Sequence, residues 1–386
     1  MRTGYKKTEL GLIPEDWDVV EFGDIVELGK NKANPKKNGM YQCVELEHIE
    51  QKTGRLLGYS LADKKTSTKT FFKHGDILFG KLRPYLMKYC CPEFDGVCST
   101  EIFVFSPKAK IDNKFVFNIV QTDGFIGNAV SKSFGTKMPR TNWKIVKEYL
   151  IPLPPLPEQQ KIAEILTTVD DKISSIEDRI QQTEQLKKGL MEKLLTEGIG
   201  HTRFKNTKIG RIPEEWEVKK FQEVMVLQRG FDLPVQNRSI GEYPILASNG
   251  IIDYHNEFRV KEPGIITGRS GTLGKVHFIE KDYWPLNTTL YVKEIYYNNP
   301  KFLYYFLQHL KIERYGTGTG VPTLNRNVVH KIRVILPPLP EQKQIATILS
   351  TVDDKLNVLQ TKKTSFETLK KGLMEQLLTG ERRVKL

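Results

Sequence analysis

The segment Gly268 to Val276, GRSGTLGKV, resembles a phosphate-binding loop in its glycines and its lysine. A P-loop has the pattern G-x-x-x-x-G-K-[S/T], because backbone N–H groups and the lysine hold the phosphates while the hydroxyl binds magnesium. Here Arg269 stands at the first required glycine and Val276 at the required hydroxyl. The pattern therefore argues against a nucleotide site.

Other residues with catalytic potential are also isolated. Glu50 and Lys52 resemble half of a nuclease motif, but no convincing carboxylate precedes them, and the seven histidines show no metal-ligand spacing. The four cysteines lack paired C-x-x-C spacing, which favours buried reduced thiols over a zinc site. They are Cys43, Cys90, Cys91 and Cys98. We find neither the Asn-Pro-Pro-aromatic motif of an amino-methyltransferase nor a helicase signature, so the sequence predicts a binding protein without a catalytic site.

Cations among glycines indicate DNA contact instead. The segments FGKLRPYLMK, GTKMPRTN, TGRSGTLGK and GTGVPTLNR place arginine, lysine and asparagine where glycine lets the backbone approach a phosphate or a groove. Arg and Asn also pair with guanine and adenine edges. The candidate DNA contacts are Lys81, Arg83, Lys88, Lys137, Arg140, Asn142, Arg269, Lys275, Thr323, Asn325 and Arg326. Any single one fits a solvated loop equally well, and Asn142 and Asn325 fit helix caps as well as DNA contacts.

The net charge of +13 is divided unevenly along the chain. Residues 1–152 carry 24 basic and 18 acidic residues, and residues 199–335 carry 20 and 13, giving +6 and +7. Residues 153–198 and 336–386 have net charges of −3 and +3. The excess charge, which indicates a polyanionic partner, thus lies in two segments.

The segments with no net excess are copies of one another. Residues 153–196 align with 336–379 without a gap, and 27 of these 44 positions are identical. A second repeat opens each half, TELGLIPEDWDVVEF from Thr8 and TKIGRIPEEWEVKKF from Thr207. The regions between these blocks differ, so the repeat indicates a duplicated, pseudo-two-fold protein.

Each copy of the long repeat predicts a helix. Pro157 and Pro340 suit a first helical turn, and apolar residues follow at the 4-3-4-3 spacing of a coiled-coil seam for about five heptads. The predicted seam residues are Ile162, Leu166, Val169, Ile173, Ile176, Ile345, Leu349, Val352, Leu356 and Leu359. Lys363 and Lys370 interrupt the seam in the second copy. A helix of this length would span about 60 Å, so we expect the two to pair; the alternative is a long core helix in each domain.

The predicted fold class is α+β. Two globular α/β domains, at 1–152 and 199–335, are separated by an antiparallel pair of long coiled-coil helices, at 153–198 and 336–386. Strands are predicted at EIFVFS, PGIITG and TTLYVKEIYY, and helices at NKFVFNIVQTDGFIGNAV and NPKFLYYFLQHLKIERY. No apolar run reaches the ~20 residues of a membrane span, and the first residues lack the apolar segment of a signal peptide. We therefore expect a cytoplasmic protein that does not bind membranes.

The paired IP..W openings, LPPLPEQ leading into QIA.IL..VD.K, and LKKGLM..LLT resemble the specificity subunit of type I restriction–modification systems. The resemblance covers essentially the whole chain. It implies that each unlike region, at 1–152 and 199–335, is a target-recognition domain that reads one half of a split double-stranded DNA sequence. It also implies that the helices act as a spacer and dock two methyltransferase subunits. Glu158, Gln159, Glu341 and Gln342 in the LPPLPEQ motifs are the candidate partner-binding residues.

The resemblance also implies a division of labour. S-adenosylmethionine, ATP and magnesium belong to the methyltransferase subunits and to the restriction subunits of the full complex, and this chain holds no cofactor or metal. Two other functions stay open: a self-contained DNA-modifying enzyme, and a non-specific DNA-binding scaffold. Activity of the isolated chain would favour the first, and indifference to DNA sequence would favour the second.

Overall fold

The computed structural model describes residues 4–35, 40–63, 67–318 and 320–385 and is mixed α/β. The chain divides into two compact units. Unit 1 comprises Met1–Glu177 and Lys362–Leu386, and unit 2 comprises Asp178–Thr361. Each long helix is therefore shared between the units, whereas the sequence suggested separate helical segments.

The described helices range from single turns to two very long elements. Their bounds are α1 Phe22–Ile25, α2 Asn113–Ile119, α3 Asp123–Ser131, α4 Trp143–Lys147, α5 Leu156–Leu194, α6 Phe221–Val224, α7 Pro300–His309, α8 Arg326–Val329 and α9 Leu339–Leu378. The long helices, α5 and α9, contain 39 and 40 residues.

The described strands of unit 1 are short and mostly antiparallel. They are β1 Tyr5–Thr8, β2 Gly11–Pro14, β3 Asp18–Glu21, β4 Val26–Leu28, β5 Lys32–Ala33, β6 Tyr41–Val44, β7 Ser60–Ala62, β8 Lys69–Phe72, β9 Ile77–Gly80, β10 Tyr89–Cys90, β11 Gly96–Cys98, β12 Ile102–Pro107 and β13 Leu150–Leu153.

Unit 2 contains the second series of described strands. They are β14 Phe204–Thr207, β15 Gly210–Pro213, β16 Glu217–Lys220, β17 Val226–Arg229, β18 Tyr243–Ala247, β19 Gly250–His255, β20 Gly264–Gly268, β21 Val276–Ile279, β22 Trp284–Pro285, β23 Thr289–Glu294, β24 Gly316–Thr317, β25 Thr323–Leu324 and β26 Arg333–Leu336.

The two units share one sheet topology. An antiparallel sheet has the order β10-β9-β12-β4 in unit 1 and β21-β20-β23-β17 in unit 2. In both, the opening hairpin (β1-β2, β14-β15) is followed by a strand that pairs with the strand before the long helix (β3-β13, β16-β26). The second sheets differ, β5-β8-β11-β6-β7 against β19-β18-β22. The duplication inferred from sequence thus extends into regions whose sequences do not align.

The predicted strands and helices of the unlike regions are confirmed. EIFVFS forms β12 in the four-stranded sheet of unit 1. PGIITG and TTLYVKEIYY form β20 and β23, which are neighbours in the equivalent sheet of unit 2. NKFVFNIVQTDGFIGNAV forms α2 and α3, because the side chain of Thr122 accepts the N–H of Phe125 and starts a new helix. NPKFLYYFLQHLKIERY forms α7, which Asn299 caps in the same way, but α7 ends at His309 and a 3-10 helix follows at Ile312–Tyr315.

The ten predicted seam residues are all buried or half-buried. At the start of α5, Ile162 and Leu166 belong to the hydrophobic core of unit 1, together with Leu377 and Leu378 at the end of α9. The matching part of unit 2 places Ile345 and Leu349 in one core with Leu194 and Leu195. Each core is therefore closed by the beginning of one long helix and the end of the other.

Lysines that interrupt the seam form ion pairs between the long helices. In unit 1, Lys370 Nζ lies 2.7 Å from Asp170 Oδ1, and Lys363 Nζ lies 2.9 Å from Glu177 Oε1. The residue that follows along α5, Glu177, pairs with the earlier lysine of α9, Lys363, so the segments of the two helices in unit 1 run antiparallel.

Unit 2 contains the equivalent of the first pair, Lys187 Nζ with Asp353 Oδ1 at 2.6 Å. Asp353 matches Asp170 and Lys187 matches Lys370 in the repeat. Burial raises the pKa of Asp170 in spite of Lys370, so desolvation exceeds the attraction of the lysine. A pair of this kind is better suited to fixing the register of two helices than to adding stability.

The four cysteines are free thiols; Cys43, Cys90 and Cys98 are buried and Cys91 is half-buried. Burial raises the pKa of Cys43 and of Cys91 to about 11, so both are protonated at neutral pH. Within the part of the chain that the structure describes, no helix is long and apolar enough to cross a membrane.

Candidate nucleic-acid interface

Two cation-bearing loops of unit 1 are hydrogen-bonded to each other. We call residues 80–85, which follow β9, and residues 134–142, which precede α4, the first loop pair. The N–H of Thr141 donates to the carbonyl of Lys81 at 3.0 Å, and the N–H of Arg83 donates to the carbonyl of Pro139 at 2.7 Å. The structure thus brings together two segments whose hydrogen-bonded residues are 56 and 60 positions apart in the sequence.

Unit 2 contains the same arrangement, in residues 268–275 from the end of β20 and in residues 316–318 and 320–326 up to the start of α8, here called the second loop pair. The N–H of Leu324 donates to the carbonyl of Arg269 at 2.7 Å, and the N–H of Gly271 donates to the carbonyl of Pro322 at 3.2 Å. Thr323 pairs with Thr317 across β24 and β25. Lys275 is exposed in the first of these segments.

The arginines of the first loop pair differ in their partners. Arg140 is exposed, and its Nε lies 2.9 Å from Glu101 Oε2, which holds one edge of the guanidinium group. Arg83 is half-buried, and its Nε is buried with no hydrogen-bond partner among the described residues. Lys81 lies over the ring of Phe103 at 5.8 Å, and Lys137 is exposed. Of these four cations only Arg140 is paired with a carboxylate in the described part of the chain, so the first loop pair keeps a net positive charge at its surface.

The remaining candidate cations are more tightly held by their own unit. Lys88 Nζ donates to the carbonyl of Leu46 at 2.5 Å, outside the first loop pair. Arg269 Nε donates to the carbonyl of Asn287 at 2.8 Å, and Arg326 Nη1 lies 3.5 Å from the carbonyl of Leu227. These contacts give Lys88 a structural role, while DNA contact by any of the three stays a prediction.

Asn142 and Asn325 are both helix caps. The Oδ1 of Asn142 accepts the N–H of Ile145 at 3.1 Å, and the Oδ1 of Asn325 accepts the N–H of Asn327 at 2.9 Å. Of the two roles that the sequence left open, capping is therefore present. Both side chains are exposed, and their amide groups lie at the edge of the loop pairs.

We expect Asn142→Ala to lower the free energy of unfolding by about 1 kcal/mol, as loss of a cap does. Asn142→Asp keeps an oxygen acceptor at the same place and is expected to change stability by only a few tenths of a kcal/mol. Urea denaturation of the two variants measures this difference. Equal destabilisation by both substitutions would contradict the capping role, and Asn325→Ala is the matched variant in unit 2.

The side chains predicted to bind partner subunits lie inside their own units. Glu158, Gln159 and Gln342 are 1–2% exposed, and the side chain of Glu341 is 11% exposed. Burial to this degree leaves little surface for a partner, so the structure corrects the sequence-based assignment. The matched residues connect the start of each long helix to its own unit.

The two buried glutamates each accept the indole N–H of the tryptophan in the opening repeat. Trp17 Nε1 lies 3.0 Å from Glu158 Oε2, and Trp216 Nε1 lies 2.8 Å from Glu341 Oε2. The glutamines use their amides similarly: Gln159 accepts the N–H of Asp112 at 2.9 Å and donates to the carbonyl of Pro154. Gln342 repeats this pattern with Asn299 and Pro337.

The other hydrogen-bond partners of the two glutamates differ and were not predicted. Arg383 donates to Glu158 at 2.7 Å and also forms a bidentate pair with Asp16. In unit 2, His201 Nε2 and the N–H of Ile199 lie 2.9 Å from Glu341 Oε1. The recurrence of tryptophan and glutamate in the repeat signals the Trp–Glu contacts, but not the contacts with Arg383 and His201.

No cluster of histidine, cysteine, aspartate and glutamate able to hold a metal ion occurs within residues 4–35, 40–63, 67–318 and 320–385. What the described surface offers is a pair of equivalent loop sites with hydrogen-bond donors and positive charge. Such sites suit phosphate groups and base edges.

Comparison with protein families matches residues 14–185 and 213–367 to the type I restriction modification DNA specificity domain. The putative type I restriction enzyme MjaX specificity subunit of Methanocaldococcus jannaschii is 31% identical over 99% of this chain and 97% of its own length. The MjaVIII specificity subunit of the same organism is 29% identical over 97% and 94%.

Solved structures show the same fold. The type I restriction-modification S subunit from M. genitalium has a TM-score of 0.64 and 17% identity, covering 94% of this chain and 96% of its own. A chain from a structural study of the assembly and conformational transition of a type I system has a TM-score of 0.61 and 16% identity, covering 96% and 99%.

Proposed function

Because the chain belongs to the family of type I restriction–modification specificity subunits, we propose that it selects a DNA target in two parts, one half-site for each unit. The observation that carries this proposal is the pair of equivalent loop sites. Their backbones are hydrogen-bonded in the same way, while most of the side chains that they present differ. A protein that reads two unlike half-sites in the same manner needs this combination.

Charge supports DNA as the ligand of both units. The two unlike segments carry +6 and +7, and the repeated segments add nothing to the total. Lysines and arginines that neutralise phosphates release bound counterions, so binding driven by them weakens steeply with salt. We propose that the shared cations supply affinity and that the unlike side chains supply sequence preference.

The helices α5 and α9 are proposed to form an antiparallel pair that sets the spacing of the half-sites. The equivalent ion pairs Asp170–Lys370 and Asp353–Lys187 support this, because each unit contains one copy of the same contact between the helices. Recognition modules on one face of B-DNA lie about 34 Å apart or a multiple of it. A helix of about 60 Å is long enough to impose such a spacing.

We further propose that the same helices dock two methyltransferase subunits. Leu186 and Leu369 occupy matching positions in the repeat and are 52% and 48% exposed on α5 and α9. Exposed apolar residues at equivalent places suit two copies of one partner. The chain itself is proposed to be non-catalytic, with S-adenosylmethionine on the methyltransferase subunits and ATP and magnesium on the restriction subunits.

Methylome sequencing of a host that expresses this chain with its methyltransferase subunits tests the proposal. We expect methylated adenines within a single split sequence made of two defined half-sites and a gap of fixed length. Methylation scattered without a common sequence would indicate a non-specific scaffold. Methylation or cleavage by the purified chain alone, with cofactor and metal supplied, would indicate a self-contained enzyme.

A further inference from the structure

We infer that Arg83 is a specificity-determining residue of unit 1 and reads a guanine, whereas Lys81 and Arg269 bind phosphates in their respective units. This inference rests on the proposed function, since it assigns roles within the DNA-contacting loops. It is carried by a residue-by-residue comparison of the two loop pairs.

Backbone hydrogen bonds define which residues of the two loop pairs are equivalent. Lys81 and Arg269 each accept an N–H from the residue before the capping asparagine. Two residues further on, Arg83 and Gly271 each donate to the carbonyl of the proline in the opposite loop. The bridge Leu82 to Arg140 likewise corresponds to the bridge Ser270 to Thr323.

Equivalent positions fall into a shared class and a differing class. A cation at 81 and 269, proline at 139 and 322, and the capping asparagines occur in both units. The shared asparagines cap helices, whereas the shared cation suits what the two half-sites have in common, which is the sugar-phosphate backbone. Two equivalent positions carry different side chains: Arg83 corresponds to Gly271, and Arg140 corresponds to Thr323. Side chains that read bases must differ between the units wherever the bases of the two half-sites differ.

The backbone at Arg83 points to a function for its side chain. Arg83 has φ +51° and Gly271 has φ +82°, so both occupy the left-handed region, which disfavours residues with a Cβ. Unit 2 shows that glycine suits this position. The presence of arginine at a left-handed position where unit 2 has glycine makes its side chain a candidate for function.

The guanidinium group of Arg83 is also incompletely bonded. Its Nε is buried without a hydrogen-bond partner among the described residues, whereas Arg140 is held by Glu101 and Arg269 by Asn287. An arginine fork matches the O6 and N7 acceptors of guanine in the major groove, and a bidentate pair provides about 10- to 100-fold discrimination against other bases. Guanine is therefore the base that we assign to Arg83.

The test is selection from a randomised double-stranded DNA library by the full chain assembled with its methyltransferase subunits. We expect Arg83→Gly, which copies unit 2, to abolish the guanine preference at one position of one half-site and to leave every other position unchanged. Affinity for the original site should fall about 10- to 100-fold. Arg83→Lys keeps the charge but loses the fork, so it should lose the same preference.

Two further variants separate base reading from other effects. Lys81→Ala should weaken binding to all sequences alike and reduce the salt slope by about one. Lys110 also has a left-handed backbone, at φ +66°, but lies outside the loop pairs. Lys110→Gly should therefore leave the base preference at every position of the DNA target unchanged.

Retention of every base preference by Arg83→Gly, or of the guanine preference by Arg83→Lys, would overturn the inference while the split target stood. A wild-type complex that selected no split sequence would instead remove the proposed function.

Discussion

Replacing Glu158 with alanine should lower the free energy of unfolding by about 3 kcal/mol. The carboxylate is 1% exposed and accepts hydrogen bonds from Trp17 at 3.0 Å and from Arg383 at 2.7 Å. Its removal leaves the indole N–H of Trp17, which is completely buried, without an acceptor. It also detaches the start of α5 from the opening repeat of unit 1. Urea denaturation followed by circular dichroism measures the loss.

Two other glutamates serve as controls for this prediction. Glu164 is paired with Lys161 at 2.8 Å on the surface of the same helix, and Glu164→Ala should change stability by less than about 0.5 kcal/mol. Glu341→Ala removes the acceptor of Trp216 and His201 and should produce a loss comparable to that of Glu158→Ala. Equal effects at Glu158 and Glu164 would show that the buried network does not stabilise the helix start.

The long helices were predictable because their signal is local and repeated. Proline at the first turn and apolar residues at heptad spacing predict that α5 and α9 exist, and both helices begin three residues after the predicted segments begin. They end four and eight residues before the predicted ends, and every predicted seam position is buried or half-buried. The lysines that interrupt the pattern were visible too. Their pairing with Asp170 and Asp353 depends on the register between α5 and α9, which the sequence of one helix alone does not specify.

The glutamates and glutamines of the LPPLPEQ motifs show where a local pattern misleads. The family resemblance placed partner binding on the helices, and a charged or amide side chain in the first turn of a helix is usually exposed. Trp17 and Trp216 approach from a repeat more than 120 residues away and enclose these side chains. The contact is non-local, and only the recurrence of both residues in the repeat could have indicated it.

The candidate DNA site was predictable as a list of residues but not as a geometry. Glycine and cation content identified all four loops, yet the pairing of residues 80–85 with 134–142 depends on how β9 and α4 meet in the folded unit. The left-handed backbone of Arg83 was equally hidden, because a sequence with arginine at that point predicts an ordinary conformation. The glycine of unit 2 becomes informative only once the two loops are seen to be equivalent.

Lengthening both helices by one heptad should lengthen the gap in the DNA target and leave both half-sites unchanged. Seven residues add about 10 Å to a helix, which corresponds to about three base pairs of B-DNA. Insertion between Glu177 and Asp178 and between Lys362 and Lys363 adds the heptads at facing positions, because Glu177 pairs with Lys363. A heptad also keeps the seam on the same side of each helix. Methylome sequencing of a host expressing the double insertion reports the new gap.

Insertion into α5 alone is the matched control. It displaces Lys187 by seven residues relative to Asp170, so the pairs Asp170–Lys370 and Asp353–Lys187 cannot both form with an unchanged α9. We therefore expect the single insertion to lose methylation and the double insertion to retain it at a longer site. An unchanged gap in the double insertion would mean that the helices do not set the spacing. If the single insertion loses methylation and the double insertion keeps it, the two helices share one register, whatever the length of the gap.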